Sequence, residues 1–187
     1  WCERSRALDP TFPRTVATIA AAWAFLATHG WRGEEDPWKR ALEEGELAFS
    51  MDPDDPEILA QMAALSMLTG NLEQGLRTAD RAIEINPHGP SGYHFRGAVL
   101  NAMGRLDEAV DALSEAWRLG RREPLAYDIA NDLAWSHYML GNYEASRQWG
   151  LRAIELRPSY LQAHLALAAA TAQLGLAEQV RPHVERI

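Results

Sequence analysis

Small residues return along this chain at one interval, and that interval limits what the chain can become. Ala48, Ala82 and Ala116 stand 34 apart, with Ala153 a further 37 on. Ala63, Gly97, Ala134 and Ala168 step by 34, 37 and 34, as do Gly70, Gly104, Gly141 and Gly175. Ala41, Gly75, Ala109 and Ser146 step by 34, 34 and 37. Four slots thus share one period and the same three-residue slip, which falls around Arg121-Arg122-Glu123-Pro124. Independent positions do not keep such a register by chance, so each copy is one structural unit.

Each slot has a physical reason. Helices pack with axes about 8–10 Å apart, and small side chains permit the close end of that range. Ala63, Gly97, Ala134 and Ala168 are expected to make that contact from the first helix of a hairpin. Ala41, Gly75, Ala109 and Ser146 answer from the second, and Ala48, Ala82, Ala116 and Ala153 let the next hairpin nest. Gly70, Gly104, Gly141 and Gly175 fall where a left-handed residue ends the first helix. Asn71, Asp107 and Asn142 follow and are expected to help start the second. Pro53, Pro87 and Pro158 stop the second helix, which proline cannot continue. Ile129, Leu133, Ala134, Trp135, Tyr138 and Leu140 are apolar at helical spacing, and no segment alternates as a strand does. The reading is all-α: an α-solenoid of antiparallel helical hairpins, one domain over 1–187.

A 34-residue helix–turn–helix unit with these small residues, a glycine turn and a closing proline resembles the tetratricopeptide repeat. The resemblance covers almost the whole chain. Copies run over 13–55, 56–89, 90–123 and 127–160, with partial copies over 1–12 and 161–187. The first copy carries about nine extra residues in its turn, His29 to Pro37, where Asp36 is expected to cap a helix that has Pro37 at its first position. The third copy has Arg121 where proline is usual. Pro182 lies early in the second helix of the last copy.

The layout also resembles the C-terminal repeat region of bacterial class III adenylate or guanylate cyclases and of winged-helix regulators. Its marks are the tryptophan-bearing turn before Ala41, Ala48 and Met51-Asp52-Pro53, the offset before Tyr127, and the ending from Leu161 to Gly175. The resemblance implies a regulatory or protein-docking module beside an effector domain. The chain opens on Trp1 without an initiator Met, as a segment of a longer protein would.

Composition excludes several classes. The formal net charge is -8 over 187 residues, which disfavours nucleic acid and anionic membranes. One cysteine, Cys2, allows no internal disulfide and fits a reducing, cytoplasmic setting. The longest apolar stretch, Val16 to Ala27, is too short to span a bilayer, which takes about 20 residues. No charged segment precedes it as in a signal peptide.

Repeat arrays hold ligands on the concave face, lined by the first helix of each hairpin. The frame places Glu57, Ala60, Ala64 and Met67 there in the second copy, and Ser91, His94, Ala98 and Asn101 in the third. The fourth contributes Asp128, Asn131, Trp135 and Tyr138, and the fifth Gln162, Leu165, Ala169 and Ala172. The 3–4–3 spacing keeps each set on one helical face. Met67, His94, Asn101, Asn131, Trp135, Tyr138 and Leu165 are the candidate partner-binding residues. Asn101 and Asn131 both donate and accept, as needed to hold an extended peptide backbone. Trp135 and Tyr138 admit two readings: aromatic anchors for a partner, or packing against the neighbouring hairpin. Members of the resembled family that grip chaperone C-termini use a lysine/arginine clamp on this stripe, which here has almost no Lys or Arg.

No catalytic constellation emerges. His94, His137 and His164 form no His-x-x-x-His pair with an acidic partner, so no metal is expected. Gly70 to Gly75 has neither the lysine nor the preceding strand of a phosphate loop. Asp52 to Pro56 reads as a capped turn, since a calcium loop needs spaced ligands and a glycine. Glu34 and Glu35 have no base to partner. The expectation is a non-catalytic scaffold without cofactor that binds protein or extended peptide, without nucleic acid or membrane insertion. The alternative is homo-oligomerisation, favoured by open hairpins at the ends.

Overall fold

The computed structural model describes residues 12–28, 33, 35–176 and 178. Among them are nine helices: α1 Pro13–Thr28, α2 Pro37–Met51, α3 Pro56–Leu68, α4 Leu72–Ile85, α5 Pro90–Ala102, α6 Leu106–Gly120, α7 Ala126–Met139, α8 Tyr143–Leu156 and α9 Leu161–Gln173. No strand occurs among the described residues, and the all-α expectation holds. The partial copy over 1–12, all but Phe12, lies outside the described residues. So do most of the His29 to Pro37 turn and the second helix of the last copy with Pro182.

The punctuation works as the residue types dictate. Gly70, Gly104, Gly141 and Gly175 have φ between 72° and 82°, the left-handed region that glycine enters without strain. Each closes a first helix with a paired motif. At the first turn, the Gly70 N–H donates to the Met67 carbonyl and Asn71 N–H to that of Ser66. The same pair recurs at Gly141, whose N–H reaches Tyr138 while that of Asn142 reaches His137. Asp36 Oδ1 accepts from the N–H groups of Trp38 and Lys39 and opens α2, with Pro37 first in the helix.

One expectation fails. Asn71 and Asn142 sit at the N-caps of α4 and α8 but make no side-chain capping bond. Their ψ of 61–62° is not the extended backbone a capping side chain needs. Asn71 turns instead to Thr69 Oγ1, and Asp107 lies inside the first turn of α6. These second helices start on the glycine motif itself.

The chain divides into two compact units, residues 1–99 and 100–187. In the first, Val16, Ala17, Ala48 and Ile58 form one buried cluster, and Ala24, Ala41 and Leu65 another. Leu59, Ala60 and Ala82 continue the packing under Phe95. A buried charge also lies here: Glu44, 3% exposed, takes Arg40 Nη2 at 3.1 Å, and the Arg40 guanidinium lies over the Trp23 ring. In the second unit, Ala130, Ala153 and Ala163 pack among Trp117, Trp149, Ile154 and Tyr160. The small residues of the lattice are buried: Ala41, Ala48, Ala63, Ala109, Ala116, Ala134, Ser146 and Ala153 are all 0% exposed. At Gly75 a Cβ would stand 3.1 Å from the Ala63 carbonyl oxygen, so that slot has no room even for alanine without a shift. The backbones of α3 and α4 meet there.

Candidate functional site

The richest predicted set lies in the second unit, on α7. Its 3–4–3 spacing brings Asp128, Asn131, Trp135 and Tyr138 onto one face, as the helix period requires. Trp135 and Tyr138 are half-buried and meet edge to face, with ring centroids 5.7 Å apart. Tyr138 meets Tyr143 at the start of α8, centroids 5.6 Å apart. The contacts seen are within one hairpin rather than with the neighbouring one, and each ring keeps part of its surface accessible.

The amides are held differently. Ser136 Oγ lies 2.9 Å from the Asn101 side-chain amide and 2.8 Å from the Asp132 carbonyl. A hydroxyl has one proton. It goes to the carbonyl when the Asn101 NH2 donates to Oγ, the amide orientation that satisfies both contacts. Asn131 is 4% exposed. Its Nδ2 makes only a long 3.5 Å contact with Asp132 Oδ1, and its Oδ1 is buried without a donor. A buried acceptor left in this way costs about 1–3 kcal/mol.

Asp128 is committed to the fold: Tyr160 OH donates to its Oδ1 at 2.5 Å. Burial and then the Asp128 charge push the Tyr160 phenol far above its ordinary 10.0, so it remains a donor. Tyr160 also meets Tyr127 edge to face at 4.7 Å. The Arg157 guanidinium lies over the Tyr127 ring and donates to its hydroxyl. Sequence reasoning did not find this cluster, because Arg157 and Tyr160 flank Pro158 in a turn where neither falls on a helix stripe. His137 is half-buried, and burial lowers its pKa from 6.5. Its Nδ1 is buried without a partner.

The other predicted residues fall as follows. Leu165 on α9 is 39% exposed. His164 beside it is buried, with Nε2 2.9 Å from the Pro158 carbonyl. In the first unit, Met67 is half-buried on α3. His94 is 6% exposed and stacked on Phe95 at 4.9 Å, so its ring belongs to the interior. The structure thus gathers Asn131, Trp135 and Tyr138 on one helix face, beside the Asn101–Ser136 contact, and encloses His94. Among the described residues no three His, Cys, Asp or Glu side chains converge as a metal site. None of the described helices is long and apolar enough to cross a membrane.

The backbone closely follows that of human IFIT1, solved as a dimer with m7Gppp-AAAA: TM-score 0.80 at 16% identity, over 99% of this chain and 43% of that one. MamA gives a TM-score of 0.63 at 16% identity, over 80% of this chain and 86% of that one. The fold is that of tetratricopeptide-repeat proteins. Sequence relatives support the tetratricopeptide-repeat family. The TPR repeat-containing thioredoxin TTL4 of Arabidopsis thaliana is 28% identical over 130 residues, 70% of this chain and 14% of that protein. Hsp70-Hsp90 organizing protein 3 of Arabidopsis thaliana is 28% identical over 82 residues, 44% of this chain and 15% of that protein. The chain therefore spans about one-seventh of the length of these relatives. No protein-family model matches it. In tetratricopeptide-repeat terms, the α7 residues lie on the first helix of a repeat and the Trp117–Trp149 pair on second helices, rings edge to face at 5.1 Å.

Proposed function

We propose that this chain is a non-catalytic scaffold that binds a protein or extended peptide through the first-helix face of α7. One observation carries the reading. Beside half-exposed aromatics, Asn131 keeps a buried amide whose oxygen the fold leaves without a donor. A reorientation of that amide on meeting a peptide N–H would supply the missing bond, while Trp135 and Tyr138 flank the chain as anchors. Asn101 and Leu165 complete the proposed face in the second unit; Met67 and His94 are separate candidates in the first.

The sequence relatives favour a protein partner. One is named for organising Hsp70 and Hsp90, although the chaperone-clamp lysines and arginines are absent from this stripe. The net charge of -8 and the same absence argue against the nucleic acid seen with IFIT1. We place the chain in the cytoplasm as a regulatory module of a larger bacterial protein, following the cyclase-like and winged-helix-like layout of its turns. A second role, homo-oligomerisation, is supported by large apolar side chains left exposed among the described residues, Phe25 at 57% and Leu125 at 59%.

The test is selection of extended peptides against the full chain from a displayed random library, followed by titration. Asn131→Ala and Trp135→Ala should each weaken the selected peptide by about tenfold or more. Unchanged affinity in both would remove this mechanism. Light scattering over a range of concentrations separates the second role: a strict monomer throughout ends it.

A further inference from the structure

A second recess, in the first unit, lies away from the predicted face. It is a groove of about 340 Å³ between α2 and α4, floored by α3. Phe49, Leu59 and Met62 make it apolar, and Gln74, Arg77 and Arg81 of α4 line one wall. Phe49 is 41% exposed. The residues one repeat later in sequence and in the copies that follow, Ile83, Trp117 and Ile154, are all more deeply buried.

The wall carries an uncompensated charge. Arg14, Lys39, Arg40, Arg81 and Arg96 each lie within ion-pair distance of a carboxylate. Arg77 alone, among the described cations of this unit, has none: its guanidinium donates to the neutral Gln74 Oε1 at 2.9 Å. The repeat does not require this charge. One period on, Arg77 and Arg81 are replaced by Asp111 and Glu115, and Met62 by Arg96. The lattice tolerates the opposite sign at these slots, so packing does not explain the basic wall.

We infer that this groove docks a protein segment presenting one bulky apolar side chain with a carboxylate about one helical turn away. The apolar side chain enters between Phe49 and Met62, and the carboxylate meets Arg77. The volume suits one or two side chains. The open rim, with Phe49, Gln74, Arg77 and Arg81 all exposed, would leave a small molecule half in water, whereas small-molecule sites bury most of their ligand. A protein segment covers the rim with its own surface. A carboxylate also complements Arg77, whose guanidinium meets only the neutral Gln74 Oε1.

The experiment uses the full 187-residue chain and two fluorescein-labelled, alanine-based helical peptides. Each carries one Phe, with Glu four residues on in one and Gln in the other. Fluorescence anisotropy should show the Glu peptide binding about fivefold tighter. Arg77→Gln should erase that preference, and Phe49→Ala should weaken both peptides, with circular dichroism unchanged because both side chains are exposed. Trp135→Ala should leave both affinities as they were. The inference is overturned by equal binding of the two peptides, by a preference that survives Arg77→Gln, or by binding of neither. It is equally overturned if Trp135→Ala is as damaging as Arg77→Gln, which would assign the peptides to the α7 face.

Discussion

Asp55 carries two duties at the start of α3. Its Oδ1 accepts from the N–H groups of Glu57 and Ile58, and its Oδ2 takes Arg14 Nε at 2.7 Å. Burial alone would raise its pKa, but the Arg14 bond and the two backbone donors outweigh burial and hold it below 3.8. The stabilisation from this carboxylate is therefore complete above its unfolded pKa and lost as pH falls through the lower folded value. Asp55→Ala should cost about 1–2 kcal/mol in urea unfolding at pH 7, whereas Asp55→Asn should keep part of the cap and lose the pH dependence. His137 acts with the same sign, nearer neutral pH. Burial holds its folded pKa below 6.5, so the unfolded chain takes up the proton first and stability falls as pH drops below about 6.5. Unfolding of His137→Gln from pH 7 to 5 should show a shallower loss than the parent. An equal slope would mean the imidazole is solvated.

At the scale of the element, the hairpin was legible because its requirements are steric and local. A left-handed turn needs glycine and a close helix contact needs a small residue, so Gly141 and Ala153 announce their roles. Gly141 has φ 78°, and a Cβ there would meet nothing within 4 Å, so Gly141→Ala should cost about 1 kcal/mol from backbone strain alone. Ala153 is 0% exposed in a cluster with Ala130, Ala163 and two tryptophans. Ala153→Leu should cost about 1–3 kcal/mol by overpacking. Thermal and urea unfolding of the two variants checks both. What sequence did not show depends on contacts across turns. Asn71 and Asn142 look like caps by residue type, yet the glycine motif before them sets a ψ that turns the side chain away. The Tyr160–Asp128 bond joins residues 32 apart in sequence, and no period marks it. The Arg77 groove is a departure from the repeat, which a search for repetition passes over.

For the whole molecule, packing uses up the small-residue faces, and the first-helix face of α7 is the surface we propose for a partner. The stripe itself was readable from the frame, since 3–4–3 spacing is enough to place Asn131, Trp135 and Tyr138 together. Which stripe residues stay accessible was not: His94 and Asn131 share the helical spacing of the stripe but are 6% and 4% exposed. The most direct measurement is a 1H–15N spectrum of the indole N–H groups while a library-selected peptide is added. The Trp135 resonance should shift on binding, while those of Trp117 and Trp149, paired edge to face on second helices, stay in place. Movement of the Trp117 and Trp149 signals with Trp135 unmoved would contradict the account.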